Sequence, residues 1–172
     1  MSIIPLHTSA RRDDWPERLD AFIRARRARS FAWGQHDCAL FAADAVEAMT
    51  GNDPAAVFRG GYDSAAGALK AIRAAGHADL LSAVSAGLGE PLPSPLYAQR
   101  GDIAAVPLAD DMSVAQESAS EEGPASSGTG IARAGFPHAL GVVLGRQIAL
   151  VRPGVEGLGA TSVLAASTAW RI

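Results

Sequence analysis

Residues 33–41 read Trp33-Gly34-Gln35-His36-Asp37-Cys38-Ala39-Leu40-Phe41, and this stretch joins a glycine turn to the start of an apolar helix. Asp37 is one of the residue types that cap helix N-termini. The apolar residues that follow recur at helical spacing, which predicts a helix from Cys38 to Met49 that Thr50-Gly51 ends. The only cysteine of the chain is therefore expected in the first turn of a helix whose apolar face meets the core.

Cys38 is open to two interpretations. A thiol at a helix N-terminus feels the positive end of the helix dipole, which lowers its pKa and makes the nucleophilic thiolate available. Unpaired cysteines are also among the most buried residues and often serve as small core hydrophobes. Because Cys38 is the only cysteine in 172 residues, it forms no internal disulfide and no four-cysteine zinc site.

A cysteine nucleophile needs a base, usually a histidine that comes close in space rather than in sequence. His138 is the first candidate because it precedes the predicted strand 139–144, and an exposed position at a loop end is its alternative. His36 is the second candidate because a charge two residues before the thiol favours the thiolate. Its alternative is a side chain that hydrogen-bonds the turn. Asp102 is expected to fix a turn at a strand start, and orienting a histidine is its alternative role.

The order of the remaining elements predicts an α+β fold, because helical patterns come first and strand patterns follow. N-terminal helices then pack on a small antiparallel sheet, and the length fits a single domain over residues 1–172. The predicted helices are 15–27, 38–49, 64–75 and 79–86, and the predicted strands are 101–107, 139–144, 148–151, 161–164 and 169–172.

Residues 109–135 interrupt the strand pattern between the first two predicted strands. The segment is rich in serine and glycine, and it carries five acidic residues before the first basic one, Arg133. This composition is typical of a flexible surface loop. The sequence therefore predicts an acidic Ser/Gly-rich loop inserted within the single domain.

Composition and missing motifs exclude several function classes. The net charge of −3 gives no general attraction to nucleic acid. No stretch reaches the ~20 apolar residues of a membrane span, and the N-terminus has no apolar signal sequence. His36 and Cys38 offer two metal ligands where zinc sites need three or four. Without a phosphate loop or a dinucleotide fingerprint, we expect neither a metal nor another cofactor.

Three motifs resemble those of one known family. Asp37-Cys38 heads a helix, Arg100-Gly101-Asp102-Ile103 opens a strand, and His138 precedes the strand Gly141-Val142-Val143-Leu144-Gly145. In this order they resemble the NlpC-like cell-wall peptidases of the papain-like superfamily. The whole chain is more closely similar to a phage and prophage group related to those peptidases and often encoded among tail genes.

The resemblance implies a papain-like, NlpC-type core and a phage tail-associated cysteine hydrolase. Such an enzyme is an endopeptidase or amidase that acts on peptidoglycan stem peptides at the host cell wall. The chain would be made in the host cytoplasm, reside in the virion tail and have other tail proteins as partners. The alternative is a catalytically degenerate NlpC-like structural protein of the tail tip or of tail assembly.

The resemblance also implies roles for individual residues. Cys38 matches the nucleophile and His138 matches the base, with His36 as the second choice. In the family the histidine lies two residues before the strand glycine, a place that Ala139 holds here. Side chains alternate along a strand, so this offset predicts that the His138 ring turns to the other sheet face unless a bulge restores it.

Overall fold

A computed structural model describes residues 10–108 and 136–172, and in it four helices precede five strands. The predicted 109–135 loop lies entirely outside the described residues. The mixed α+β class with an antiparallel sheet is confirmed. The helices are α1 (Trp15–Arg26), α2 (Cys38–Thr50), α3 (Ala65–Ala74) and α4 (Leu80–Leu88). The strands are β1 (Ile103–Pro107), β2 (His138–Val143), β3 (Gln147–Leu150), β4 (Gly159–Ser162) and β5 (Thr168–Trp170).

The five strands form one sheet in the order β4-β3-β2-β1-β5, and every neighbouring pair is antiparallel. β1 and β2 pair without interruption, so that Val106 lies opposite Ala139 and Pro107 opposite His138. Side-chain alternation then separates two buried faces. Leu140 belongs to the larger core cluster, which α2 shares, whereas Ala139 belongs to a second cluster.

Helix α2 lies at the centre of the larger core because nearly all its side chains are apolar and buried. Asp37 caps its first turn, and Gly51 ends it in the left-handed conformation with φ of 86°. Helix α1 packs along it, with the Phe22 and Phe41 ring centroids 5.3 Å apart. The predicted helix is confirmed, with Thr50 as one further residue.

Packing within the sheet requires a glycine at position 141, because a side chain there would clash with β3. A Cβ atom at this position would lie 2.6 Å from the Ala149 carbonyl oxygen and closer still to the Ile148 side chain. Gly145 serves a different purpose, because its φ of 97° forms the turn between β2 and β3. Gly141 and Gly145 of the strand motif are thus required for different physical reasons.

All five strands begin or end at residues other than the predicted ones, and two of these differences have a clear local cause. The predicted strand 161–164 is wrong in its second half, since Val163–Ala165 form a 3-10 turn. The Ser162 side chain accepts the Leu164 N–H and so stabilises that turn. The first strand begins at Ile103 rather than at residue 101, because Gly101 has a φ of 89° and belongs to the preceding turn.

Asp102 fixes that preceding turn and holds the chain ends against the sheet. Its fully buried carboxylate accepts the Gln99 N–H at 2.8 Å, which confirms the predicted turn role. It also pairs with Arg11 at 2.6 Å and with Arg171 at 2.9 Å. The Ile172 N–H donates to the same carboxylate at 3.2 Å.

Candidate functional site

Cys38 lies in the first turn of α2, where the sequence places it, and its side chain is buried. Only 6% of the residue is exposed, and it belongs to the same buried cluster as Ala139. The thiol therefore faces packed side chains rather than solvent. This burial agrees with the second interpretation of Cys38, in which the residue serves as a small core hydrophobe.

Asp37 connects the helix start, the preceding turn and a residue far along the chain. One carboxylate oxygen, Oδ1, accepts the Leu40 N–H at 2.9 Å and so caps α2 as predicted. The other, Oδ2, accepts the Gly34 N–H at 2.9 Å and the Tyr62 hydroxyl at 2.7 Å. No lysine, arginine or histidine forms an ion pair with Asp37 within residues 10–108 and 136–172.

Burial, together with a smaller contribution from the negative charge of Asp37, raises the pKa of the Cys38 thiol to about 12. The backbone amides of Leu140, Ala39 and Cys38 itself act in the opposite direction but do not prevail. The helix N-terminus thus lowers this pKa as expected, but the net shift is upward. Desolvation of the thiolate outweighs the helix dipole and favours the protonated thiol.

His138 is the first residue of β2 and pairs with Pro107 in an uninterrupted register. With no bulge between them, strand alternation puts His138 on the face of Leu140, whereas Ala139 lies in the cluster of Cys38. The register therefore assigns His138 to the sheet face that packs on α2. No hydrogen bond joins the Cys38 sulfur to a histidine among the described residues.

His138 has a different acidic neighbour, Asp79, which caps α4. Hydrogen bonds from Ser82 lower the pKa of the Asp79 carboxyl most strongly, and the charge of His138 makes a smaller contribution in the same direction. The structure thus brings His138 towards the start of α4.

His36 is fully buried, and its ring meets Phe41 edge-on with centroids 5.9 Å apart. Neither ring nitrogen has a hydrogen-bond partner among the described residues. The side-chain bond to the turn, which was the alternative role of His36, is therefore absent, and backbone bonds between His36 and Ala32 close that turn instead. Burial lowers the pKa of the His36 imidazole, and the charges of Arg29 and Arg26 lower it further.

An apolar crevice extends from Cys38 along one side of α2. It has a volume of about 90 Å³ and lies between α2 and the α3–α4 pair. The sequence pattern indicated Trp33 within the glycine turn, but it gave no signal for the three other aromatic residues of the crevice. The aromatic residues that line the crevice are Trp33, Phe58, Tyr62 and Phe136.

Two negative observations concern the described part of the chain. Within residues 10–108 and 136–172, no three side chains of histidine, cysteine, aspartate or glutamate come together in a way that would hold a metal ion. No helix in these ranges is both long and apolar enough to cross a membrane.

The fold and the site define an α+β protein with a buried cysteine at the head of its central helix. The chain belongs to the family described as a domain of unknown function, DUF6950, which matches residues 10–172. Comparison with curated proteins and with solved structures gives no match.

Proposed function

We propose that this chain is a catalytically degenerate NlpC-like protein that acts as a structural or binding component of a phage tail. The observation that carries the proposal is the environment of Cys38, a buried thiol to which no histidine is hydrogen-bonded among the described residues, and whose pKa burial raises. A papain-type mechanism needs a thiolate and a base within hydrogen-bond reach of the sulfur.

The order of the chain supports an NlpC-like ancestry. The helix headed by Asp37-Cys38 precedes β1, which follows Arg100-Gly101-Asp102, and β1 pairs with β2, which contains Gly141. The sheet is antiparallel and packs on that helix, as the resemblance implies. Ala139 holds the position that matches the family histidine, so the proposed loss of chemistry has a specific cause.

The resemblance to proteins encoded among tail genes supports a place in the virion tail. Other tail proteins are then the expected partners, and the chain is made in the host cytoplasm. A structural role at the tail tip or in tail assembly needs a stable fold and a partner surface but no nucleophile.

A peptidoglycan hydrolase is the second candidate, and the position of Cys38 at the N-terminus of α2 favours it. The backbone amides near the sulfur would form part of an oxyanion hole. Catalysis would require a second conformation that exposes the thiol and brings the ring of His138, or of His36, to the sulfur. Peptidoglycan stem peptide would be the substrate.

Digestion of purified peptidoglycan tests the proposal. We expect the wild type, Cys38→Ser and Cys38→Ala to release no more soluble fragments than buffer, with an active muramidase as the positive control. Release by the wild type that Cys38→Ser abolishes would overturn the proposal and establish the hydrolase.

Assembly of virus particles tests the structural role separately. We expect particles that carry Cys38→Ser to form in normal numbers and to infect, because the substitution leaves the partner surface intact. Normal particle assembly with a loss of infection would contradict the proposal, since it would mean that the thiol acts after assembly.

A further inference from the structure

His36 is an ionisable side chain that the fold buries without a polar partner. None of its surface is exposed, and neither ring nitrogen has a hydrogen-bond partner among the described residues. Its ring packs edge-on against Phe41. A neutral imidazole loses some hydration in such a place, whereas an imidazolium, whose two nitrogens are both N–H donors, loses much more. The closed structure therefore accommodates the neutral ring and not the protonated one.

The charged groups around His36 do not offset a proton on the ring. Arg26 on α1 and Arg29, between α1 and α2, disfavour the proton, and Asp44 on α2 favours it. Asp37, at the start of α2, favours it as well. Asp44 already pairs with Arg26 and with one further arginine, and three uncharged donors occupy Asp37. Protonation of His36 therefore requires the ring to leave its place.

The turn that holds His36 is closed by few hydrogen bonds. The His36 N–H donates to the Ala32 carbonyl at 2.7 Å, and the Ala32 N–H donates to the His36 carbonyl at 3.1 Å. The Gln35 N–H also donates to the Ala32 carbonyl, at 3.1 Å, and Gln35 itself is exposed. A surface turn of this kind opens at a lower cost in free energy than the packed helices and sheet. The ring can therefore be released without unfolding the rest of the protein.

The same turn covers the start of α2, where Cys38 lies. The Gly34 N–H donates to Asp37 at 2.9 Å and so joins the turn to the helix cap. Trp33 of the turn lines the crevice that Cys38 also lines, and its ring centroid is 5.9 Å from that of Phe136. When the turn opens, Trp33 leaves this wall and the bond to Asp37 breaks. Solvent then reaches the thiol.

From the burial of an unpartnered imidazole in this position, we propose that residues 32–37 form an acid-sensitive switch that covers the Cys38 thiol. Neutral His36 keeps the 32–37 turn closed. Protonation of His36 opens the turn while the helices and the sheet remain folded. The switch controls access to the thiol and not its chemistry, so it goes beyond the proposed function and does not depend on the result of the peptidoglycan experiment.

The direction of the pH effect follows from the two states of His36. Burial, and then the charges of Arg29 and Arg26, lower its pKa in the closed state, whereas in the open state it titrates near its ordinary value of about 6.5. The open state therefore takes up the proton first as the pH falls. The ratio of open to closed molecules rises by at most about tenfold for each pH unit below that value, until the closed state is protonated as well.

Reaction of Cys38 with a dipyridyl disulfide tests the switch on the full chain. The thiol attacks one sulfur of the reagent and forms a mixed disulfide, and the other sulfur leaves with the thiol proton as thiopyridone, whose absorbance gives the rate. The reagent remains reactive in acid, and Cys38 is the only cysteine of the chain. Each rate is divided by that of the urea-unfolded chain at the same pH. Circular dichroism at each pH records whether the protein is folded.

Three variants separate the switch from other effects of acid. His36→Phe keeps a ring against Phe41 and takes up no proton. His77→Phe is the matched control, because His77 is partly exposed after α3 and does not line the crevice. Gly34→Ala forces the turn open at neutral pH, because a Cβ atom at Gly34 would overlap the Tyr62 carbonyl oxygen and the residue has a φ of 71°.

We expect the normalised rate of the wild type and of His77→Phe to rise at least about fivefold as the pH falls from about 7 to about 5, with an unchanged dichroism spectrum. His36→Phe should show no such rise, and Gly34→Ala should react several times faster than the wild type at neutral pH. Equal rises in the wild type and His36→Phe would overturn the proposal, as would a wild-type rate that does not rise or that rises only with loss of the dichroism signal. A folded Gly34→Ala that reacts as slowly as the wild type would show that the turn does not cover the thiol.

Discussion

Asp37 and Asp102 are both fully buried, but their carboxylates have different hydrogen-bond and charge partners. Two arginines, Arg11 and Arg171, pair with Asp102, and two backbone amides donate to it. Asp37 receives only uncharged donors, namely two backbone amides and the Tyr62 hydroxyl. The charge of Asp102 is compensated locally, whereas that of Asp37 acts on its neighbours. It contributes to raising the pKa of both Cys38 and Tyr62.

Asp102 and Asp37 therefore have different roles in the structure. Asp102 holds both ends of the described chain against β1, so its contribution is to stability. Asp37 organises the start of α2 and at the same time opposes ionisation of the adjacent thiol. A site built to produce a thiolate would place a positive charge there instead.

Replacement of Asp102 by alanine should have the largest effect of the changes considered. It leaves two guanidinium groups and two amides without their acceptor, so we expect a loss of about 3 kcal/mol in the free energy of unfolding. Urea denaturation measures it. Arg100→Ala is the control, because the Arg100–Asp20 pair is half-exposed and should be worth less than ~1 kcal/mol. Equal losses in the two variants would contradict the assignment of Asp102 as a structural clamp.

Replacement of Asp37 by alanine should cost less, about 2 kcal/mol, because a helix cap and hydrogen bonds to uncharged donors are lost. Asp37→Asn is more informative about the thiol, since it removes the charge and keeps an amide of similar shape. We expect it to lower the pKa of Cys38 from about 12, as followed by the ultraviolet absorbance of the thiolate. An unchanged pKa would show that burial alone suppresses the thiolate.

His36 makes the fold sensitive to acid. The charges around it come from Arg26 on α1, Arg29 in the connection, and Asp44 and Asp37 at α2. Because burial and the arginines lower its pKa, the unfolded chain takes up the proton first as pH falls below about 6.5.

The contribution of His36 to stability is therefore complete above that pH and declines below it, until the folded histidine is protonated as well. We expect a slope of at most about 1.4 kcal/mol per pH unit in the free energy of unfolding. His36→Phe keeps an aromatic ring against Phe41 and should remove this part of the pH dependence. Parallel stability curves for the two proteins would contradict the prediction.

The sequence was sufficient for the elements whose signals are local. Asp37 and Gly51 mark the ends of α2 because capping depends on neighbouring residues, and both positions are confirmed. The α+β order was predictable for the same reason. The state of Cys38 was not, because it depends on burial by β2 and on the charge of Asp37, and desolvation is a property of the packed molecule.

Neither the crevice nor the hydrogen-bond partner of Asp37 could be predicted from the sequence, for a related reason. Tyr62 lies 25 residues after Asp37, and no periodic pattern indicates that its hydroxyl reaches the carboxylate.

The turn at Val163–Ala165 shows the opposite case, in which a local signal was available. Ser162 is a residue type that initiates such turns, but the β-branched residues around it favoured a strand.

Tyr62→Phe should have the smallest effect and separates hydrogen bonding from charge. It deletes one donor to Asp37 and keeps the ring that lines the crevice, so we expect a loss of about 1 kcal/mol in the free energy of unfolding. The charge of Asp37 remains, and the pKa of Cys38 should therefore not fall as it does in Asp37→Asn. Titration of the thiolate in both variants makes the comparison. A fall of similar size in both would contradict the assignment of this effect to the charge of Asp37, because Tyr62→Phe retains that charge.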